Sequence, residues 1–203
     1  MGPLFHSSRF LVWSYRNKAS MVDDWGRSHE GLLHLRKGRR MVFNVDDVRV
    51  PYNRHTVRYP VHPQAVTSQY GGARREAAGG RTGVWRPHPR GARPRDVIEI
   101  PTLCNGSAEK TPHPTQKPLE LFRRLVLASS RQGDLVIDPF GGSGTTYVVC
   151  EETARHWAGC ERDLAYCRVI ARRLSEPARF AARNDTETAA QRSRRRQRLR
   201  ESP

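Results

Sequence analysis

The sequence predicts an α/β fold with a mainly parallel β-sheet, and three observations between residues 111 and 174 predict it. Residues 135–137 form a short continuous apolar run, as a buried parallel strand requires. A glycine-rich turn follows this run directly. Helical apolar spacing comes before and after the turn, and a second strand-like run ends in Glu161. Strand, glycine turn, helix, strand and acid in this order are typical of half a nucleotide-binding sheet.

The individual elements of this region can be placed in order along the chain. Pro118 suits the start of a helix because its missing N–H is not needed there. Gly133 is expected to end that helix. A second helix is expected over residues 147–155 and a strand over 157–160. The apolar face of the first helix contains Leu119, Phe122, Leu125 and Val126, and that of the last helix contains Leu164, Cys167, Ile170, Ala171 and Leu174.

Three further zones differ from this core in composition. Residues 1–43 contain two strand-like runs, at 10–13 and 31–35, which we assign to amino-terminal strands of the same sheet. Residues 44–110 have no sustained period and are rich in arginine, proline and glycine. Residues 175–203 are arginine-rich with hardly an apolar residue, which predicts a basic disordered tail after the core of residues 111–174.

The charge of the chain favours a polyanionic partner. Its 203 residues carry a formal net charge of +16, and lysine contributes only Lys18, Lys37, Lys110 and Lys117. Neutralising phosphates with arginine releases counterions, so nucleic acid is the natural partner. The alternative is an arginine-rich surface on an ordinary soluble protein.

The cysteines and the hydropathy pattern exclude several classes of protein. The four cysteines form no CxxC pair, so we expect no zinc or other metal site, and free thiols fit a reducing cytoplasm. No apolar run approaches the length of a transmembrane helix. A cytoplasmic protein without membrane contact is therefore predicted.

The glycine turn and Glu161 form a candidate ligand site. Gly141, Gly142 and Gly144 allow a tight turn with bare backbone at the end of a parallel strand. Glu161 lies twenty residues after Gly141, where a carboxylate can accept both ribose hydroxyls of an adenosine. The same pattern also fits a dinucleotide-dependent enzyme, or a tight turn that binds nothing.

Three motifs together resemble the N6-adenine and N4-cytosine DNA methyltransferases. Residues 138–146 (DPFGGSGTT) are similar to the cofactor motif of that family, and residues 113–118 (HPTQKP) to its second cofactor element. Residues 159–163 (GCERD), with Tyr166 and Arg173-Leu174, are similar to its third. A looser similarity extends over residues 96–101 and back to Trp13 and His29-Glu30, so that it covers most of residues 10–174.

The resemblance implies a Rossmann-like methyltransferase sheet with helices on both faces and S-adenosylmethionine as the cofactor. Asp138 would meet the cationic amine of the methionyl group, and Thr115 and Lys117 its carboxylate. Taken alone, residues 113–118 also fit a proline-stiffened loop before a helix, and His113 is read as a structural loop residue. The implied cofactor-binding residues are Thr115, Lys117, Asp138, Phe140, Gly141, Gly142, Ser143, Gly144 and Glu161.

The order of the motifs implies the subgroup in which the catalytic motif precedes the cofactor motif. Residues 44–110 then correspond to the target-recognition segment, with double-stranded DNA as the partner. A solvated basic loop is the alternative interpretation. The candidate DNA-binding residues are Arg49, Arg54, Arg58, Arg86 and Arg93. N6-adenine is favoured over N4-cytosine as the target.

The catalytic tetrapeptide of the family, which contains two adjacent prolines, is missing. No Pro-Pro dipeptide occurs in the sequence, so the catalytic residues are unknown and we expect an amino-terminally incomplete enzyme. Three hypotheses follow. The first is a site-specific DNA methyltransferase, completed by further sequence and acting in restriction-modification with a cognate nuclease. The second is a non-catalytic cofactor- and DNA-binding subunit whose partner carries the motif. The third is a dinucleotide oxidoreductase.

Overall fold

The computed structural model of the chain describes residues 4–18, 23–63 and 84–176. Among these, the residues up to Phe43 and from Asp96 onward form one compact unit, and Asn44–Arg95 form a second. Residues 96–110, which the sequence grouped with the recognition segment, thus belong to the first unit. The predicted basic tail lies outside the described residues from position 177 onward. In the described part of the chain, no helix is long and apolar enough to cross a membrane.

The described elements alternate between strands and helices after residue 96. In chain order they are β1 (Ser7–Ser14), β2 (His29–Arg36), a 3-10 helix (Val45–Asp47), α1 (Arg54–Arg58), β3 (His62–Pro63), β4 (Val84–Trp85), β5 (Val97–Glu99), α2 (Leu119–Ser129), β6 (Leu135–Asp138), α3 (Thr145–Glu152), β7 (His156–Gly159) and α4 (Leu164–Ser175).

The two strands predicted near the amino terminus form a three-stranded sheet in the order β2-β1-β5. Among the described residues no strand pairing joins this sheet to β6 and β7, so their predicted place in the same sheet is wrong. β1 pairs antiparallel with β2 and parallel with β5. Trp13 of β1 is 2% exposed, and its Nε1 donates a hydrogen bond to the Ile100 carbonyl at 2.8 Å. It packs with Tyr15 and Leu121, so this sheet is anchored on α2.

β6 and β7 form a parallel pair, as the sequence predicts, with Leu135 opposite His156 and Asp138 opposite Gly159. The predicted burial of this strand is wrong: Leu135 is 58% exposed and Ile137 is 68% exposed. A buried parallel strand needs neighbours at both edges and cover on both faces. Among the described residues, β6 has β7 as its one strand partner, which accounts for the exposure.

Helix α2 packs against both sheets. Its Leu119 and Val126 join a buried cluster with Val149, whereas Leu121 faces the cluster around Trp13. Pro118 is the N-cap rather than the first helical residue, with ψ of 140°. The helix ends at Ser129, before the expected stop at Gly133, whose φ of +80° forms the turn into β6.

The buried face of α4 matches the predicted one in part, since Ile170 is buried and Cys167 and Leu174 are half-buried. Leu164 and Ala171 are exposed, and the buried residues of the helix are Ile170 and Arg173. Arg173 lies three residues after Ile170, so the two share one side of the helix. The prediction selected apolar positions only and therefore placed the face a fraction of a turn away from the observed one.

The second unit, Asn44–Arg95, is described by short elements. Asn53 caps α1 by accepting the Thr56 N–H at 2.8 Å, and β3 pairs antiparallel with β4. An isolated bridge joins Val50 to Ala92. Of the predicted recognition segment, this unit carries the described residues from 44 to 95.

Candidate cofactor site

The carboxylate of Asp138 organises the glycine turn at the end of β6. Its Oδ1 accepts the Phe140 N–H at 3.0 Å, and its Oδ2 accepts the Thr146 hydroxyl at 2.5 Å. The end of the strand is thereby tied to the first turn of α3. A carboxylate has about four lone-pair sites, so two accepted bonds leave acceptor capacity for a cationic group.

Glu161 lies beside the turn at the end of β7, as its spacing indicates. Its Oε2 accepts the Gly142 N–H at 2.7 Å, and its Oε1 accepts the Asp163 N–H at 2.8 Å. The Asp163 N–H, and after it the Gly142 N–H, lower the pKa of this carboxyl below its ordinary value. Glu161 is therefore ionised at neutral pH and has lone pairs left for ligand hydroxyls.

The glycines of the turn meet protein atoms closely. A Cβ at Gly141 would lie 2.7 Å from the Tyr147 hydroxyl oxygen, and one at Gly144 would lie 3.0 Å from Cγ1 of Ile170. Gly144 also has a φ of +75°, which side chains rarely adopt. The sequence analysis explained these glycines by the close approach of a ligand. At Gly141 and Gly144, however, packing against Tyr147 and Ile170 already leaves no room for a side chain.

Tyr147 is a supporting residue to which the sequence analysis gave no role. Its hydroxyl donates to the Asp138 carbonyl at 2.8 Å, and its ring stacks on Trp157 with centroids 4.4 Å apart. A Cβ at Gly159 would lie 2.1 Å from the same hydroxyl oxygen. The sequence analysis identified Gly159 only as part of a motif, because a single sequence does not show that this glycine packs against Tyr147.

The loop of residues 111–118 is held by buried polar contacts. The Gln116 amide oxygen accepts both the N–H and the hydroxyl of Thr111, at 2.6 and 2.8 Å, and its nitrogen donates to the Glu109 carbonyl at 2.6 Å. The Glu109 carboxylate accepts the Leu119 N–H at 2.9 Å. These bonds fix the loop at the start of α2. A loop stiffened only by its prolines would not need such a buried polar network.

His113 forms part of the wall between the two loops. Its ring lies 4.4 Å from that of Tyr166, and a Cβ at Gly142 would lie 3.2 Å from its Nε2. Its Nδ1 accepts the Thr115 N–H at 3.3 Å, which requires the tautomer with hydrogen on Nε2. Burial lowers the pKa of His113, which agrees with a structural rather than a charged role.

Lys117 connects this site to the amino-terminal strands. Its Nζ lies 2.7 Å from Oε2 of Glu30 and 5.3 Å from the ring centroid of Trp13. The ammonium has three donors, so the ion pair leaves donors for a further anion. The sequence assigned Lys117 to a ligand carboxylate and did not predict its partners on β1 and β2.

The two loops share one cavity of about 530 Å³. Thr115, Lys117, Asp138 and Phe140 line it, and Phe140 is 86% exposed. Of the other predicted residues, Gly141, Gly142 and Ser143 line it. Glu161 and Gly144 do not line it, although Glu161 accepts the N–H of the lining residue Gly142. The apolar wall consists of Phe122, Leu125, Val126, Val136 and Ile137. Within the described ranges, no group of three or more His, Cys, Asp or Glu could hold a metal ion.

The candidate DNA-binding arginines lie in the second unit. Arg49 is 10% exposed, pairs with Asp46 at 2.6 Å and donates to the Gly91 carbonyl at 2.8 Å. These contacts hold the backbone of the unit together. The side chain of Arg58 lies over the Tyr59 ring at 5.5 Å. The exposed residues of the predicted set are Arg54, Arg58, Arg86 and Arg93.

A parallel strand pair, a glycine turn and an acid at the next strand end are together typical of the nucleotide-binding class of α/β proteins. The chain belongs to the N6/N4 DNA methylase family, whose sequence profile matches residues 2–172. The resemblance stated from the three motifs is thereby confirmed.

Characterised relatives cover most of the chain. It is 29% identical over 175 residues to the type II methyltransferase M.HpaI of Haemophilus parainfluenzae, covering 86% of this chain and 46% of that protein. It is 30% identical over 181 residues to the DNA adenine methyltransferase YhdJ of Escherichia coli K12, covering 88% and 56%. The chain thus spans about half the length of these relatives.

Solved structures support the fold. The complex of M1.HpyAVI with SAM matches at a TM-score of 0.50 and 24% identity, covering 82% of this chain and 61% of that one. The cytosine-N4-specific PvuII DNA methyltransferase matches at 0.52 and 16%, covering 87% and 51%. The predicted methyltransferase-type α/β fold is confirmed.

Proposed function

We propose that this chain forms the S-adenosylmethionine-binding part of a DNA amino-methyltransferase. One observation carries the proposal: the loops of residues 113–118 and 138–146 line a single cavity, with the Glu161 carboxylate bonded to its edge at Gly142. Family membership and the names of the relatives support the assignment, since M.HpaI and YhdJ are DNA methyltransferases.

The residues of the cavity fit the chemical groups of this cofactor. A volume of about 530 Å³ lies within the usual range of small-molecule sites. Glu161 would offer lone pairs to the ribose hydroxyls, Asp138 would hold the methionyl amine, and Lys117 and Thr115 would hold its carboxylate. The apolar side chains of Phe122, Leu125, Val126, Val136 and Ile137 provide a nonpolar wall on one side of the site. When bound, the cofactor would supply the methyl group that is transferred.

We infer that the target is an exocyclic amino group of DNA, with N6-adenine favoured over N4-cytosine. The relative YhdJ is an adenine methyltransferase, which supports adenine, although the PvuII enzyme of similar fold acts on cytosine. Exposed Arg54, Arg58, Arg86 and Arg93 and the net charge of +16 favour duplex DNA as the partner. The four cysteines are free thiols, which supports a cytoplasmic location.

Methyl transfer by residues 1–203 is proposed to need a segment that they do not contain. An exocyclic amino nitrogen is a poor nucleophile because its lone pair is conjugated into the ring. The Pro-Pro tetrapeptide that orients this amine in the family is absent from the sequence. The exposed Leu135 and Ile137, and the edge of β6 that no described strand covers, favour a complementing strand beside β6. A partner subunit, or a further segment of a longer protein, would provide it. A cognate nuclease stays a prediction.

Calorimetry separates the cofactor hypotheses. Purified residues 1–203 are titrated with S-adenosylmethionine and, in a matched experiment, with NAD. Binding of the first alone is expected. Preferential binding of NAD would instead support the dinucleotide oxidoreductase, and binding of neither would reduce the glycine turn to a structural feature.

A transfer assay tests the need for complementation. Residues 1–203 are incubated with labelled S-adenosylmethionine and DNA that lacks amino-methylation, with and without a polypeptide that carries the Pro-Pro tetrapeptide. We expect transfer only with the added polypeptide, and analysis of the product nucleosides then identifies the methylated base. Robust turnover by the chain alone would mean that an unrecognised residue performs the catalytic step.

A further inference from the structure

Arg173 of α4 is a fully buried arginine beneath the glycine turn, with 0% of its surface exposed. Its Nη1 donates to the Ser143 carbonyl at 2.8 Å and lies 3.2 Å from the Thr145 hydroxyl. It also lies 3.4 Å from the Ser143 hydroxyl. The described contacts of this guanidinium thus converge on the turn and the first residue of α3.

The point that Arg173 contacts is where the two cofactor loops join. The Thr145 hydroxyl donates to the Lys117 carbonyl at 3.2 Å, so it has no hydrogen left for Ser143. The Ser143 hydroxyl, 3.0 Å away, is then the donor to Thr145. One chain of hydrogen bonds therefore runs from Arg173 of α4 through Ser143 and Thr145 to the backbone of Lys117, in the loop of residues 113–118.

Fold stability does not explain an arginine at this position. Its Nε and Nη2 are buried and have no hydrogen-bond partner. Burial lowers the pKa of Arg173, whereas the negative charges of Glu109 and Glu152 raise it by a smaller amount. The positive end of the α3 dipole is also unfavourable to a cation. Replacing buried charges by apolar residues of similar volume is often neutral or stabilising.

We propose that Arg173 is a positioning residue for the cofactor site, which it serves by holding the Ser143 carbonyl and the Thr145 hydroxyl. Fixing these two groups sets the course of the turn at Gly142, whose N–H orients Glu161. It also holds the backbone of Lys117. The inference rests on the proposed function, because the site it prepares is the S-adenosylmethionine site.

The test compares Arg173→Met and Arg173→Lys with the control Arg168→Met, which alters an exposed arginine of the same helix. Three quantities are measured: S-adenosylmethionine affinity by calorimetry, the urea midpoint, and hydrogen exchange of residues 139–147. For Arg173→Met we expect affinity at least about tenfold weaker, the scale of one charge-assisted hydrogen bond. Its urea midpoint should be unchanged or higher, with faster exchange confined to the turn.

The other two variants serve as an intermediate case and as a control. Arg173→Lys keeps the charge and part of the donor capacity, so it should fall between wild type and Arg173→Met in affinity and exchange. Arg168→Met should match wild type in all three measurements. The inference is overturned if Arg173→Met binds as wild type with unchanged exchange. It is equally overturned if that variant unfolds, or if its affinity and stability fall in parallel with faster exchange throughout the unit.

The measurements also distinguish a failure of the proposed function from a failure of the proposal for Arg173. If wild type binds no S-adenosylmethionine, that proposal falls, and the exchange data decide the role of Arg173 alone. Faster exchange confined to residues 139–147 at unchanged stability would still identify Arg173 as the residue that positions the turn, and unchanged exchange would refute it.

Discussion

Replacing Glu161 with glutamine isolates the contribution of its charge at almost constant volume. The native carboxylate accepts two backbone N–H groups, from Gly142 at 2.7 Å and Asp163 at 2.8 Å. A carboxamide has one acceptor oxygen, so one of these donors would face an NH₂ group. Glu161→Gln therefore disturbs the turn and also removes a charged acceptor for ribose hydroxyls. A hydrogen bond to a charged group corresponds to about ten- to hundredfold in affinity, and we expect a loss in that range.

The assay is calorimetric titration of S-adenosylmethionine into the wild type and the variant, with the urea midpoint as a check on folding. Glu99→Gln serves as the control, because Glu99 is an exposed carboxylate paired with Arg16 outside the cavity. A folded Glu161→Gln protein with wild-type affinity would refute the ribose assignment. Because the pKa of Glu161 is lowered, its contribution to the free energy of unfolding should be fully present above pH 4.5 and should be lost as the pH falls from there through the lower folded-state pKa.

Three further predictions concern other parts of the chain. Gly144→Ala should lower the free energy of unfolding by about 2–4 kcal/mol in urea titrations, because a side chain there combines a left-handed φ with crowding against Ile170. Ile170→Ala removes that crowding, so the double variant should be more stable than the sum of the two single effects predicts. Because the pKa of His113 lies below 6.5 in the fold, the unfolded state takes up the proton first, so stability should decline as the pH falls below 6.5. Urea midpoints at pH 7.5 and 5.5 should show a smaller decline for His113→Asn than for wild type or the exposed control His156→Asn. Deleting residues 186–203 should flatten the salt dependence of DNA affinity without changing site preference, and an unchanged slope would leave the tail no role in binding.

Much of the fold could be predicted from the sequence because the patterns that indicate its elements are local. The run at 135–137, the glycine turn and Glu161 succeed one another along the chain, so their order alone predicts β6, the turn and β7. The amino-terminal strands were likewise found from short apolar runs, and the structure extends both. Their assignment to a separate sheet could not be predicted, because pairing partners such as β1 and β5 are far apart in sequence.

The parts of the candidate site that escaped prediction depend on distant contacts. Arg173 was recognised only as part of the motif that resembles the third cofactor element. Its burial was not predicted, since an arginine on a surface-like helix is ordinarily solvated. Glu30 and Lys117 are separated by 87 residues, and nothing in either segment indicates the ion pair. The roles assigned to Thr115, Asp138 and Ser143 remain predictions, although the structure places all three beside the cavity.

By itself, the sequence determined the family, the order of the cofactor elements and the absence of a Pro-Pro tetrapeptide, because these depend on residue type and spacing. The tertiary structure decided what each side chain contacts. It assigned Gly141 and Gly144 to packing against Tyr147 and Ile170, and it left Leu135 and Ile137 exposed where a buried strand was expected. The physical reason is that burial and hydrogen bonding are properties of neighbours in space, and one-dimensional spacing specifies those neighbours only within a single turn, helix or strand.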